Sequence, residues 1–246
     1  MEDVLIKDDA YVDSVEKSII GFANGFIGYN FVYSYIVAFI IQYMVISLNI
    51  STNSDVLNIL LMLFTSIVTV ILGVVIASPK KFLRAYSKLN LVQVKLIFKT
   101  LVTMLIFTFA YNLFISLLGV DVSGGNTNQE GVINSIISVP VLSFLTFVLI
   151  APVSEEITYR YFLFGGVRKI NPKWAIIISG FVFMIVHGLA GFLSGGTDIV
   201  RELLLLPPYM FSGCMLAYSY NKSNNLTVST GIHVLNNLLS FILSII

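Results

Sequence analysis

The stretch from residue 131 to residue 169, GVINSIISVPVLSFLTFVLIAPVSEEITYRYFLFGGVRK, places charged side chains inside a long apolar segment. Glu155, Glu156 and Arg160 interrupt it, whereas almost every other ionisable residue of the chain lies in a linker between apolar stretches. Ionisable groups inside a membrane are costly, so they mark a functional site by default. The two histidines, His187 and His233, lie in apolar stretches further along the chain.

The composition is that of an integral membrane protein. Hydrophobic residues make up 57% of the chain and charged residues only 11%, whereas a soluble domain carries about 25% charged residues. The mean hydropathy is +0.92. The net charge of +1 predicts no nucleic-acid partner. With a single cysteine, Cys214, the chain forms no intramolecular disulfide.

Seven apolar stretches are long enough to span a bilayer, which takes roughly 20 residues. The fourth stretch is expected to continue as a helix to residue 169, with Pro140 and Pro152 bending it or marking a starting turn. The fold class is therefore predicted to be an all-α polytopic membrane protein whose C-terminal four helices form the catalytic core. The predicted helices are 22–47, 56–79, 100–120, 131–154, 174–197, 203–221 and 223–246.

Lysine and arginine set the predicted orientation. The linker 79–99 is basic, and thirteen of the fourteen lysines and arginines fall on its side of the membrane, with Arg201 as the exception. Because cytoplasmic loops carry the excess of these residues, we expect a multi-pass cell-membrane protein with the N-terminus inside and the C-terminus outside. We divide the chain into an acidic cytoplasmic segment (1–21), N-terminal helices with the basic linker (22–130) and a catalytic core (131–246).

Helix geometry separates the roles of the two adjacent glutamates. Residues four apart share a helix face, so Glu156 and Arg160 are expected to form an ion pair. Glu155 points about 100° away from Glu156. The two carboxylates can therefore have different roles.

The same spacing recurs in two later helices, as Phe183-x-x-x-His187 and His233-x-x-x-Asn237. At 1.5 Å per residue, Glu155 and both histidines lie about 12–21 Å from the cytoplasmic helix ends. If 153–169 runs into the membrane as one helix, these groups meet near mid-bilayer. We expect the cavity around them to be reached from the cytoplasmic half.

Two chemical arrangements fit these residue types. A carboxylate with a histidine deprotonates a water, while a His-x-x-x-Asn face offers donors to an oxyanion. Alternatively, Glu155, His187 and His233 bind a divalent metal such as Zn²⁺, with an open position for water. Spacing alone does not choose between them. The non-functional interpretation is that these groups are buried polar pairs that hold helices together.

The three motifs together resemble those of the CAAX-protease and bacteriocin-processing family (CPBP, also called Abi). Its E-E-x-x-x-R, F-x-x-x-H and H-x-x-x-N motifs match from about residue 131 to the C-terminus. The resemblance implies an intramembrane endopeptidase of the glutamate or metal-dependent type. It also implies that Glu155 and His187 activate water and that His233 and Asn237 stabilise the oxyanion. Glu156 and Arg160 would support them.

The resemblance implies a membrane-associated peptide or protein as the substrate, and leaves open whether a metal is needed. The main alternative function is a non-proteolytic membrane scaffold or regulator of the same fold that binds a partner protein. A transporter is a third reading, because intramembrane carboxylates also relay protons. The absence of an inverted repeat in the sequence disfavours it.

Overall fold

A computed structural model describes residues 11–47, 54–193 and 198–246, and these residues form helices without any strand. Within these residues, seven helical segments are long and apolar enough to cross a membrane, which confirms the predicted all-α polytopic membrane fold. The helices are α1 Val15–Ser47, α2 Ser54–Ala77, α3 Pro79–Ala85, α4 Leu91–Leu117, α5 Thr127–Ser138, α6 Pro140–Arg168, α7 Pro172–Leu193, α8 Ile199–Leu204, α9 Pro207–Ser223 and α10 Leu226–Ile245.

The fourth span differs from its predicted bounds of 131–154. Residues 127–138 form the separate helix α5, and Val139 leaves helical geometry with φ −142° and ψ 70°. The span α6 then begins at Pro140, whose fixed φ and missing N–H suit a first helical turn. The expected continuation is confirmed, because α6 runs without interruption to Arg168. Pro152 lies just after a π-helical segment, Phe144–Ile150, which accommodates the ring.

Local sequence signals account for the other helix boundaries. Asn90 caps α4 with Gln93 in a reciprocal capping box, and the side chain of Asn225 accepts from the Thr227 N–H at the start of α10. The first span begins at Val15 rather than 22, behind the capping residue Ser14. The sixth begins at Ile199 rather than 203 and breaks before α9. The end of the predicted fifth span, 194–197, lies outside the described residues.

Helix α6 is central because small residues let its neighbours approach closely. A Cβ atom placed on Gly21 or Gly25 of α1 would lie within 2.6 Å of Phe162 or Thr158 side-chain atoms of α6. On the other side, α7 and α9 meet at two glycines, where a Cβ on Gly213 would lie 2.8 Å from the Gly180 Cα. This packing encloses the charged part of α6.

The bundle has two chemically different ends. At the basic end, Lys81 pairs with Asp13 at 2.7 Å and Arg168 donates to Asn221 at 3.0 Å. At the opposite end, which we call the loop end, residues 118–126 join α4 to α5 and are held by Arg201. Its guanidinium donates to the carbonyl oxygens of residues 121, 123 and 125 at 3.1, 3.0 and 2.8 Å.

Candidate active site

Glu156 lies at the centre of a buried charged triad. Its Oε1 is 2.9 Å from His233 Nδ1 and 3.4 Å from Arg160 Nη1, and the side chains of Glu156 and Arg160 are 0% exposed. Arg160 also donates to the Gly213 carbonyl at 3.4 Å. Since an ionised carboxylate only accepts, His233 donates its Nδ1–H to Glu156. The triad fixes the direction of the His233 ring.

Glu155 faces a different environment from its neighbour. Its side chain is 27% exposed, and its Oε2 lies 3.7 Å from His233 Nε2. Among the described residues, no group donates a hydrogen bond to this buried Oε2. Glu155 lines a cavity, while Glu156 does not. The two carboxylates therefore differ in the way that the helix geometry predicts, and Glu155 is the one open to a reacting group.

His187 is held in one tautomer by its own helix. Its Nδ1 is 2.8 Å from the Phe183 carbonyl oxygen, which can only accept, so Nδ1 carries the hydrogen. In the neutral ring, Nε2 is then the nitrogen with a lone pair. The ring stacks on Tyr209 with centroids 4.7 Å apart, and both residues line the cavity.

Phe183 joins the separate parts of the site. Its ring centroid is 4.3 Å from that of His187 and 5.7 Å from that of His233. The Arg160 guanidinium lies over the same ring at 4.6 Å. The sequence marks Phe183 only through its spacing to His187, and these contacts indicate that the ring positions both imidazoles.

Asn237 also lines the cavity but is partly engaged. One N–H of its amide donates to the Phe147 carbonyl at 2.9 Å, which leaves one N–H for another acceptor. The adjacent Asn236 also lines the cavity and lies 3.5 Å, nitrogen to oxygen, from the Asn237 amide. Asn236 belongs to none of the three sequence motifs, so the spacing gives no signal for its place in the lining.

Two further residues support His187 without any sequence signal for that role. The buried Asn126 donates from Nδ2 to the His187 carbonyl at 2.8 Å, and Tyr209 donates its hydroxyl to Asn126 Oδ1 at 3.1 Å. Thr127, next in the chain, donates its backbone N–H to Glu202 at 2.9 Å. The sequence predicts this segment only as a flexible turn, because a contact between positions 126 and 187 leaves no periodic pattern.

The cavity has a volume of about 520 Å³ and is bordered by Glu155, both histidines and Asn237. Besides side chains from the spanning helices, its lining includes residues of the loop end, at 122, 124–126 and 128–129, and of the last turns of α10. The expectation of access from the half nearest the basic linker is therefore wrong. The loop between α4 and α5 folds back over the site, so the cavity extends toward the loop end.

The proposed metal ligands are not arranged as a metal-binding set. Within the part of the chain that the structure describes, no group of three or more His, Cys, Asp and Glu side chains is placed to hold an ion. His233 Nδ1 is occupied by Glu156, and His187 Nδ1 by the Phe183 carbonyl. Each ring therefore keeps Nε2 for a proton, a hydrogen bond or an ion, and the metal dependence of the site stays a prediction.

Comparison with known proteins supports the motif-based resemblance. Residues 137–239, under half of the chain, match the family model described as type II CAAX prenyl endopeptidase Rce1-like, and all three motifs lie inside this range. UPF0177 protein YxdF of Lactococcus lactis subsp. lactis is 28% identical over 130 residues, which cover 52% of this chain and 66% of that protein. No solved structure matches the chain significantly. The family match confirms the resemblance of this region to the CAAX-protease family.

Proposed function

We propose, from the Rce1-like character of residues 137–239, that this chain is an intramembrane endopeptidase acting on a membrane-associated peptide or protein. The observation that carries the proposal is the position of Glu155. Its buried Oε2 lies 3.7 Å from His233 Nε2, and the 27% exposed side chain lines a cavity that His187 also lines. The two atoms are near enough for one water or one substrate atom beside them to contact both.

Water activation follows from the hydrogen bonds already made. His187 donates its Nδ1–H to the Phe183 carbonyl, so its Nε2 is left to accept a proton or a hydrogen bond in the cavity. The Oε2 of Glu155 has no competing donor among the described residues. A water between these two acceptors would give a proton to Glu155 as its oxygen attacks the scissile carbonyl carbon. The proton then passes to the leaving amine as the C–N bond breaks.

We expect His233 and Asn237 to stabilise the negative charge that develops on the carbonyl oxygen of the substrate. Glu156 accepts the Nδ1–H of His233 and so directs Nε2 of the ring toward the cavity, where the ring would stabilise the oxyanion when Nε2 also carries a hydrogen. Asn237 keeps one amide N–H after bonding to the Phe147 carbonyl. Donors aimed at a forming oxyanion in a water-poor site are worth about 2.7–4 kcal/mol each. In this scheme Glu156 and Arg160 are positioning residues.

The proposal is tested by comparing membrane peptides from cells that contain the wild type, Glu155→Ala or His187→Ala. We expect peptide fragments that appear only with the wild type, while all three proteins accumulate in the membrane. Glu16→Ala removes an exposed carboxylate far from the cavity and serves as the matched control. Identical peptide profiles for all variants would contradict proteolysis and leave the scaffold function as the better account.

A further inference from the structure

The cavity reaches the molecular surface at the loop end. Three of its lining residues are exposed, namely Leu105 of α4, Gly124 in the loop before α5 and Leu243, at 76% exposure, near the end of α10. Residues 105, 108 and 112, which belong to the second half of α4, continue the wall toward this opening. The lining includes no residue of the basic linker 79–99.

The two ends of the bundle differ sharply in charge. Apart from Arg201 and the buried Arg160, the lysines and arginines of the described residues occur at 17, 80–99, 168–173 and 222, in or beside the basic end. Arg201 is at the loop end, where it bonds to three loop carbonyls. Since the side of a membrane protein richer in lysine and arginine is cytoplasmic, the basic end faces the cytoplasm. The loop end, with the cavity opening, then faces outward.

The chemistry of the wall limits what can enter. Within the described residues, Glu155 is the only carboxylate of the lining, and no lysine or arginine contributes to it. Near the opening, the side chains of Asn128 and Gln129 supply amide groups, while Ile133 and Phe241 supply apolar surface. Amides suit a peptide backbone, and apolar walls suit its side chains. Apart from Glu155, a charged segment would find no partner in this lining.

We propose that the substrate enters from the extracytoplasmic side, as an uncharged, largely apolar segment of an exported or outer-leaflet peptide or protein. The identity of the substrate in this inference rests on the proposed endopeptidase function, whereas the position of the cavity opening does not. It identifies the α5 side of the cavity as the entrance and separates this chain from an enzyme that trims cytoplasmic tails.

Single cysteines placed in a Cys214→Ala background test the side of entry. Val132→Cys lies on α5 and lines the cavity, Asn134→Cys lies on α5 but is exposed and outside the lining, and Lys88→Cys lies at the basic end. A charged, membrane-impermeant thiol reagent is added to intact cells. We expect labelling of both α5 cysteines, and labelling of Lys88→Cys only after the cells are permeabilised. The reverse pattern would overturn the proposal.

A second readout uses the same labelled cells. Modification of Val132→Cys from outside is expected to abolish the wild-type peptide fragments, whereas modification of Asn134→Cys is expected to leave them. Full labelling of Val132→Cys without loss of processing would overturn entry through this opening. Labelling in permeabilised cells shows whether each variant accumulates with a reactive thiol. Because labelling needs no catalysis, a failure of the endopeptidase function is distinguishable from a failure of this inference.

Discussion

Removing the Arg160 guanidinium is expected to destabilise the protein strongly. The Arg160→Met variant keeps an unbranched apolar side chain but takes away the cation that lies 3.4 Å from the Glu156 carboxylate. Both side chains are 0% exposed, so no solvent replaces the lost partner. The variant also loses the hydrogen bond to the Gly213 carbonyl and the contact with the Phe183 ring.

The size of the effect follows from the buried charge. Breaking a buried ion pair by removing one partner costs about 3–5 kcal/mol, because the other charge stays buried and uncompensated. For a chain of this size, about 1 kcal/mol lowers the Tm by roughly 2–4 °C. We therefore expect Arg160→Met to lower the Tm by about 6–20 °C. Adding Glu156→Gln to Arg160→Met removes the unpaired carboxylate charge, so we expect the double variant to recover part of the lost Tm.

The Tm is measured by thermal unfolding in detergent for the wild type, Arg160→Met, Glu156→Gln and the double variant, which together form a double-mutant cycle. Lys173→Met, at an exposed position on the first turn of α7, removes a cation without a buried partner and should change stability by at most about 0.5 kcal/mol. If the changes in unfolding free energy of the two single variants sum to that of the double variant within about 0.5 kcal/mol, the two residues are not coupled. That result would contradict this prediction.

The remaining predictions concern the ring contacts, the loop, the basic end and the metal. Phe183→Leu should cost about 0.5–1.5 kcal/mol of stability in thermal unfolding and should reduce peptide processing, since it removes the ring between the imidazoles. Asn126→Ala should cost about 1–3 kcal/mol by the same measurement, because the His187 carbonyl loses its donor. Burial raises the pKa of Asp13, but the hydrogen bond and charge of Lys81 bring it below its ordinary value. The stabilisation by Asp13 is therefore present near neutral pH and is lost as the pH falls through the folded pKa; Asp13→Asn should cost up to about 1 kcal/mol at pH 7 and almost nothing in acid. A chelator should leave processing by the purified protein intact, with substoichiometric zinc by metal analysis; activity lost with chelator and restored by zinc would contradict this.

Hydropathy and charge alone predict much of the fold. Apolar length places the seven spans, and the motif spacing predicts the Glu156–Arg160 pair and the separate direction of Glu155. These features are local, so a sequence carries them directly. The start of α6 at Pro140 is also local, and a starting turn there was one of the two alternatives for this proline, although the apolar residues of α5 placed the predicted start of the span at 131.

Apart from the meeting of Glu155 with the two histidines around one cavity, contacts between distant segments could not be predicted. The loop at Asn126 bonds to the His187 backbone across 61 positions, and this contact brings the loop end over the cavity. Phe183 reads as an ordinary apolar residue, because only the assembled bundle brings the second imidazole and Arg160 to its ring. The cavity opening was mispredicted for the same reason, since helix depths were measured from one membrane side without the loop.

The most direct measurement is hydrolysis in ¹⁸O-labelled water. The purified protein in detergent is incubated with peptides extracted from its own host membrane, and the new carboxyl termini are read by mass spectrometry. We expect new carboxyl termini that carry ¹⁸O with the wild type and with Glu16→Ala, and no ¹⁸O-labelled termini with Glu155→Ala. A folded wild type that yields no labelled termini, or a Glu155→Ala variant that yields the same ones, would contradict it.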